Sequence, residues 1–482
     1  MIEKSMGNSD KGGSDDRLFT IKTYTALFVG KLLLTITRLL GRGGTTLPGR
    51  IALMIKPDLV KILARQIKTG SIVVTGTNGK TTTSALLTSI LKEAGLICIN
   101  NQSGSNMSWG VASAFVEKAR ISGKIPVDYA ILEVDEGAFP AVTAELQPRA
   151  IVVTNIFRDQ LDRYGEIDYI QNAIQSGLEF QPGNSLQVIN ADDPSLVALS
   201  QRSGISRLTY GLDLNLPDDN LHYTGRDLKT CPLCREELAY ERLYYAHLGY
   251  YYCPACNFRH PRADVRLTDY SSSRDGSTQL TVKHPKGSIT LTSNLTGRYN
   301  LYNILAALTC SLGLGIQDNF IVSAIEKAAP SFGRMEHFFC EEKNIIMALI
   351  KNPVGANEVI RTVLSMNERF SLMVAINDKI ADGKDVSWLW DVDFEQLTAR
   401  QPNISSLTAS GLRAWDMAVR FKYAGFDQNK IEIDSNTEAA LIAALDKTPR
   451  SGTLFILPSY TAMLEIRRHL NKMGMGKPYW EA

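Results

Sequence analysis

Between Val73 and Thr83 the chain reads VVTGTNGKTTT, and these residue types in this order suit the binding of a polyphosphate. A glycine-bearing turn that leads from a strand into a helix points backbone N–H groups at an anion, and the helix N-terminus adds favourable partial charge. Lys80 then reaches the outer phosphates, and the Thr81 hydroxyl takes a place on Mg²⁺. The candidate phosphate-binding residues are Thr77, Asn78, Gly79, Lys80, Thr81 and Thr82. The usual G-x-x-x-x-G-K-[ST] pattern asks for glycine at position 74, where this chain has Val74, so the loop is a shortened form starting at Gly76. In Ile131–Glu136, Glu133 closes an apolar run at a strand end and is the candidate Mg²⁺ ligand opposite Thr81. Asp135 or Glu136 then serves to cap the following helix.

A second constellation is Cys231-x2-Cys234, eighteen intervening residues, then Cys253-x2-Cys256. Four thiolates at this spacing form the closed tetrahedral shell of a structural Zn²⁺ site, with no open position for catalysis. Tyr244, Tyr245, Tyr250, Tyr251 and Tyr252 supply the small core that such a ribbon lacks, and the nearby His247 and His260 are bystanders.

The elements that must position these residues alternate. Ser71–Thr75, Ile97–Asn100, Tyr129–Val134, Ile151–Thr154 and Leu186–Ile189 are short β-branched runs separated by helical stretches, the first of them Ser84–Ala94. That is the pattern of a doubly wound parallel sheet, whose ligands gather at the carboxyl ends of the strands. Gln279–Thr292 alternates as an antiparallel strand pair. From about Glu342 a second series begins with Ile345–Ile350, Leu372–Ile376, Ile404–Thr408, Ile431–Ile433 and Leu454–Leu457, a Rossmann-like unit without a glycine fingerprint. Two of its turns are unusually polar: Lys351–Asn357, and Asn377–Trp388 with Asp378, Asp382 and Asp385, followed closely by Asp391. At the other end, Leu18–Leu40 reads as an amphipathic helix with Ala26, Val29, Leu33, Ile36 and Leu40 on one stripe and Lys31 and Arg38 opposite. Lys31 and Arg38 interrupt it too early for a membrane span.

The 482 residues allow two or three domains, and 44% hydrophobic with 21% charged residues is ordinary for a globular chain. A net charge of +2 gives no field that would make nucleic acid the main partner. Four of seven cysteines fall in the CxxC pairs, which points to metal binding in a reducing compartment. Residues 1–16 are polar, with nothing to bury and no apolar core of a secretory signal. A cytoplasmic location is expected.

The loop Gly76–Thr81 resembles that of the Mur ligase and folylpolyglutamate synthase superfamily. That resemblance implies that Asn300 and Asn303, near the start of a helix, touch the adenine ring, and that Ser331–Glu336 is a hinge from which Arg334 approaches the ATP phosphates. Two departures argue against the second Mg²⁺ that those ligases commonly hold: Gln160 stands where they carry histidine, and Ile167–Phe180 lacks the lysine they carbamylate. With the four-cysteine insertion and the Asn377–Trp388 loop added, the chain is similar over nearly its whole length to the MurT family, the ligase subunits of lipid II isoglutaminyl synthases. The implied fold is α/β. Residues 1–52 form a disordered segment and the amphipathic helix, and 53–335 a Mur ligase-like central ATP-binding domain with the zinc ribbon inserted at about 228–262. Residues 336–482 form a C-terminal ligase domain of the MurT type.

The implied activity is ATP-dependent amidation of the D-Glu α-carboxylate of the lipid II stem peptide, with ammonia from a GatD-type glutamine amidotransferase. Asp385 is the implied catalytic residue, orienting a histidine of the partner's glutaminase site. Cys98, Cys310 and Cys340 read as core thiols, so this chain shows no nucleophile of its own for glutamine. The N-terminal helix would help reach a substrate at the inner face of the membrane. Two alternatives stay open: an amino-acid-adding ligase of the same superfamily, and a nucleic-acid-binding P-loop ATPase that reads through the ribbon.

Overall fold

The computed structural model describes residues 19–39, 46–101, 105–158, 167–179, 181–215, 228–272, 277–329, 333, 335–340, 342–365 and 369–475. The expected disordered segment 1–16, Gln160 and Arg334 lie outside them.

The first sheet contains β1 (Gly70–Thr75), β2 (Cys98–Asn100), β3 (Tyr129–Glu133), β4 (Ala150–Val153), β5 (Leu186–Asn190) and β6 (Arg207–Leu212). A separate hairpin, β7 (Ala239–Tyr245) and β8 (Leu248–Tyr252), intervenes before β9 (Val265–Ser272), β10 (Thr278–His284) and β11 (Gly287–Ser293). The nine-stranded order is β11-β10-β9-β6-β5-β4-β1-β3-β2, parallel from β2 to β9 and antiparallel beyond. Side chains of the central strands alternate between two cores, as a sheet covered on both faces requires. Ile72, Val74, Ile131 and Val152 enter one core; Val73, Leu132, Ile151 and Val153 enter the other. The expected antiparallel pair is thus the outer part of a triple whose first strand, β9, joins β6. The β6–β9 pairing spans the cysteine insertion, so no local pattern announces it.

The second sheet holds β12 (Glu336–Cys340), β13 (Lys343–Met347), β14 (Phe370–Ala375), β15 (Ile404–Ser410), β16 (Ile431–Asp434) and β17 (Thr453–Pro458), ordered β12-β13-β17-β14-β15-β16. All its pairings are parallel except β12–β13.

The N-terminal helix runs Ile21–Leu39 and buries Thr23, Ala26, Leu27, Gly30 and Leu34 against its neighbours. That face is rotated from the expected stripe: Ile36 is 41% exposed, Val29 and Leu33 are half-buried, only Ala26 is fully buried, and Leu40 lies outside the described residues. Lys31 and Arg38 sit at the packed edge, Lys31 Nζ donating to the Glu117 carbonyl at 3.1 Å and Arg38 pairing with the Glu117 carboxylate at 3.0 Å. Apolar residues surround this helix almost completely, so their periodicity leaves the buried face undetermined. Gly30 decides it by letting the backbone approach Val116. No helix among the described residues is long and apolar enough to cross a membrane.

Close packing also fixes the next helix, Leu47–Ile55, against Ser108–Lys118 through Gly49, whose N–H donates to Ser113 Oγ at 2.8 Å. A Cβ at Gly49 would collide with the Trp109 carbonyl oxygen and crowd the Ser113 backbone. Gly49→Ala gains about 1 kcal/mol of helix propensity, but overpacking against backbone costs about 1–3 kcal/mol. We expect a net loss of about 1 kcal/mol in urea unfolding; a stabilised variant would show that the two helices separate easily.

Candidate nucleotide site and cysteine cluster

β1 ends at Thr75 and the helix Lys80–Glu93 starts only five residues later, four residues earlier than its apolar spacing predicts. Gly76 (φ 117°) and Gly79 (φ 90°) take left-handed conformations that a Cβ would strain, and a Cβ at Gly79 would strike Asn303 Oδ1. The loop is fastened to the exit of β4. The Thr77 N–H donates to the Asn155 carbonyl at 3.0 Å and the Asn78 N–H to Asn155 Oδ1 at 2.9 Å. Asn155 Nδ2 and Thr154 Oγ1 both donate to the Asn78 carbonyl, at 3.0 and 2.7 Å. The Thr77 hydroxyl accepts from the Phe157 N–H and donates to the Phe157 carbonyl. No side chain caps the helix at Gly79, which leaves its first amides for an anion.

Lys80 is buried, its Nζ 3.0 Å from Glu136 Oε2 and 2.6 Å from the Gly76 carbonyl. Thr81 Oγ1 donates to Glu133 Oε2 at 2.8 Å. Six oxygens around Mg²⁺ at 2.0–2.1 Å stand about 3 Å apart along each edge, so this hydroxyl–carboxylate pair fits two neighbouring positions on that ion. Asn101 clamps the backbone of Glu133 from both sides, accepting from its N–H at 2.8 Å and donating to its carbonyl at 2.7 Å. Glu136 is the residue that sequence reasoning missed. The local turn is made by Asp135, which accepts from the Gly137 N–H at 3.1 Å, while Glu136 faces Lys80. The signal available was an acidic triplet where one cap suffices.

Around the loop lies a cleft of about 580 Å³, its open mouth included. Asn78, Gly79, Thr82 and Asn155 form one wall, Tyr299, Tyr302 and Asn303 another, and the second sheet's domain contributes Met335, Leu349 and Val359. Asn300 does not line it; its Oδ1 accepts from Asn303 Nδ2 at 3.0 Å and so fixes the residue that does. The polar turn after β13 also arrives here: Asn352 Nδ2 donates to Asn78 Oδ1 at 3.1 Å.

Elsewhere, the four cysteine sulfurs lie within 4.8 Å of one another, with Cys231–Cys256 at 3.7 Å and Cys234–Cys253 at 3.4 Å. Zn–S bonds of 2.3 Å place tetrahedral sulfurs about 3.8 Å apart, so the donor set fits that ion. Three of the four acids of the C-terminal turn have partners beyond it: Asp382 binds Thr461, Asp378 binds Arg413, and Asp391 lies 3.6 Å from Arg158. Asp385 accepts from the nearby Ser387 N–H at 2.8 Å and does not line the cleft.

A largely parallel sheet carries this loop at its centre and faces a second α/β domain, and matches to known families place this arrangement among the Mur-type ligases. Residues 74–235 match the Mur ligase middle domain and 349–463 the MurT ligase C-terminal domain. Among curated relatives, the lipid II isoglutaminyl synthase (glutamine-hydrolyzing) subunit MurT of Streptococcus pneumoniae is 36% identical over 450 residues, 93% of this chain and 97% of that one. Its Staphylococcus aureus counterpart is 32% identical over 457 residues, 95% and 99% of the two chains. The chain therefore belongs to the MurT family and is a ligase subunit. In fold it is similar to a pseudomurein peptide ligase type C from Methanothermus fervidus, with TM-score 0.65, 22% identity, and 86% and 80% of the chains covered. It is also similar to Mycobacterium tuberculosis folylpolyglutamate synthase complexed with ADP and AMPPCP, with TM-score 0.61, 17% identity, and 92% and 98% covered.

Glu136→Gln removes the carboxylate facing a buried ammonium, a change that typically costs about 3 kcal/mol or more. Denaturant unfolding of the nucleotide-free chain should show a loss of that size; a change below about 0.5 kcal/mol would mean that the pair carries no weight.

Proposed function

We propose that the chain amidates the α-carboxylate of D-Glu in the lipid II stem peptide to D-isoglutamine, consuming ATP and taking ammonia from a GatD-type glutamine amidotransferase subunit. The observation that carries this reading is the near full-length likeness to glutamine-hydrolysing synthase subunits, combined with a phosphate loop in a cleft between two α/β domains. A carboxylate is a poor electrophile. Its oxygen first attacks the γ-phosphorus of ATP, ADP departs, and an acyl phosphate results. Ammonia then adds to the carbonyl carbon, phosphate leaves with the C–O bond electrons, and the nitrogen gives up a proton.

In this reading the amides and side chains of Thr77–Thr82 hold the phosphates, and Lys80 exchanges Glu136 for the transferring phosphoryl group. Asn303, fixed by Asn300, takes the adenine, and Arg334 approaches the phosphates from the hinge. Thr81 and Glu133 would hold Mg²⁺, which supplies charge neutralisation on the phosphates when bound. Cys231, Cys234, Cys253 and Cys256 would hold a structural Zn²⁺. We assign residues 53–335 to the nucleotide domain and 336–482 to the ligase domain.

The partner reading has its own support. Trp415, Val419 and Tyr423 are exposed on one face of the helix Ala414–Tyr423, with Trp390 edge-on to Tyr423, beside the turn that carries Asp385. Such an aromatic patch suits a protein interface. Burial pushes the Cys98 and Cys310 thiols up to about 11 and about 12, so neither is a ready nucleophile for glutamine. Asp385 would orient the partner's histidine instead. The side of Ile21–Leu39 that exposes Ile21, Phe28, Leu32 and Leu39 suits contact with the inner face of the membrane that carries lipid II, on a cytoplasmic protein.

Amidation of lipid II by the complex should fall at least about 100-fold in Asp385→Asn with glutamine as donor and persist with ammonium. Equal loss with both donors would remove Asp385 from the glutaminase step, and no amidation by the wild type with either donor would overturn the function.

A further inference from the structure

We infer that the hairpin carried by the four-cysteine ribbon is part of the nucleotide site, with Tyr245 as a binding wall for the nucleoside end and the cysteine cluster as its positioning element. The inference rests on the reading of the cleft as a nucleotide site. Tyr245, the last residue of β7, lines that cleft although β7 and β8 belong to neither large sheet. Its ring meets Phe157 edge-on at 5.2 Å and lies 6.4 Å from the ring of Tyr302, another wall residue. Phe157 is the residue whose backbone is bonded twice to the Thr77 hydroxyl in the phosphate loop. His247, in the tight turn after Tyr245, packs edge-on against the same phenyl ring at 5.0 Å. Tyr245 and His247 therefore form the packing that backs the phosphate loop.

A second connection runs from the ribbon to the opposite wall. His260, four residues beyond Cys256, places Nε2 2.7 Å from Asp192 Oδ1. The other oxygen of this fully buried carboxylate accepts from the Tyr302 hydroxyl at 2.7 Å. Tyr302 precedes Asn303, which abuts Gly79. Tyr250 of β8 stacks on His260 at 4.1 Å, so the hairpin also holds the histidine.

A two-stranded hairpin is marginal alone and needs an external constraint to keep one geometry. Here β8 runs directly into Cys253, whose N–H donates to the Phe258 carbonyl at 2.8 Å, so the closed cysteine cluster anchors one end of the hairpin. Opening the cluster would loosen Tyr245 and His260 together, and both walls with them. Tyr245 is 2% exposed, so what it offers to a purine or ribose is the strip of ring edge that borders the cleft.

The test is ADP affinity of the full chain by titration calorimetry, with Lys80→Ala as the control. We expect Tyr245→Leu to weaken ADP about tenfold and Tyr245→Phe to restore it to within about twofold, because the ring and not the hydroxyl makes the wall. In the complex, Tyr245→Leu should raise KM for ATP with kcat within about twofold, a split that general destabilisation would not give. Cys234→Ser, at an exposed position, should weaken ADP about fivefold without touching the cleft directly. If Lys80→Ala weakens ADP while Tyr245→Leu and Cys234→Ser bind it like the wild type, the inference is overturned and the site stands. If ADP binding is absent in the wild type or indifferent to Lys80→Ala, the reading of the cleft itself fails.

Discussion

Strands β3, β1 and β4 are neighbours, run parallel, and end at the same edge of the sheet. Their register puts Val74 beside Glu133 and Thr75 beside Val153, so the chain leaving each strand meets the others within a few ångströms. From β1 comes the phosphate loop, from β3 Glu133 and Glu136, and from β4 the Thr154–Phe157 segment that holds the loop open. Everything else in the site depends on this pairing. Lys80 and Glu136 are 56 residues apart, and Asn78 and Asn155 are 77 apart, yet both pairs are in contact.

Two consequences follow for chemistry. The Lys80 ammonium is buried, and Glu136 supplies the negative charge that makes this tolerable. In the proposed function a triphosphate would compete with this carboxylate for the same cation, exchanging one ion pair for another. The second consequence is that the cleft is assembled from two domains. Asn352 reaches Asn78 from the turn after β13, and Met335, Leu349 and Val359 close the side opposite the loop. In the proposed reaction, a carboxylate substrate presented by the second domain would meet the γ-phosphate where these surfaces face each other.

What could be read from the sequence was what is local. The loop from Gly76 to Thr82 depends on adjacent residues and a strand-to-helix switch, and Glu133 stands at the end of its own apolar run. The CxxC spacing is equally local, and the sulfurs do converge. Non-local contacts were not legible. Glu136 looked like a cap because a cap is the nearest use for an acid, whereas its partner lies two strands' worth of chain away. Tyr245 reads as core for a small ribbon and His260 as a bystander, because nothing near them in sequence belongs to the phosphate loop. The N-terminal helix failed differently: Ile21, Phe28, Leu32 and Leu39 are exposed although apolar, so periodicity offered more than one face and a glycine contact chose among them. Asn300 reads as an adenine contact, while in the structure its Oδ1 accepts from Asn303 Nδ2 and Asn303 is the one of the two that lines the cleft.

In the proposed reaction this chain activates a carboxylate by phosphorylating it, and the fate of a carboxylate oxygen reports on that step. Lipid II labelled with ¹⁸O in the D-Glu α-carboxylate would be amidated by the complete complex, and the released phosphate examined by mass spectrometry. An acyl phosphate transfers one labelled oxygen to each phosphate formed, because the C–O bond breaks when ammonia displaces it. Phosphate carrying one ¹⁸O per amide made is the predicted result. Unlabelled phosphate accompanying amidated product would rule out an acyl phosphate.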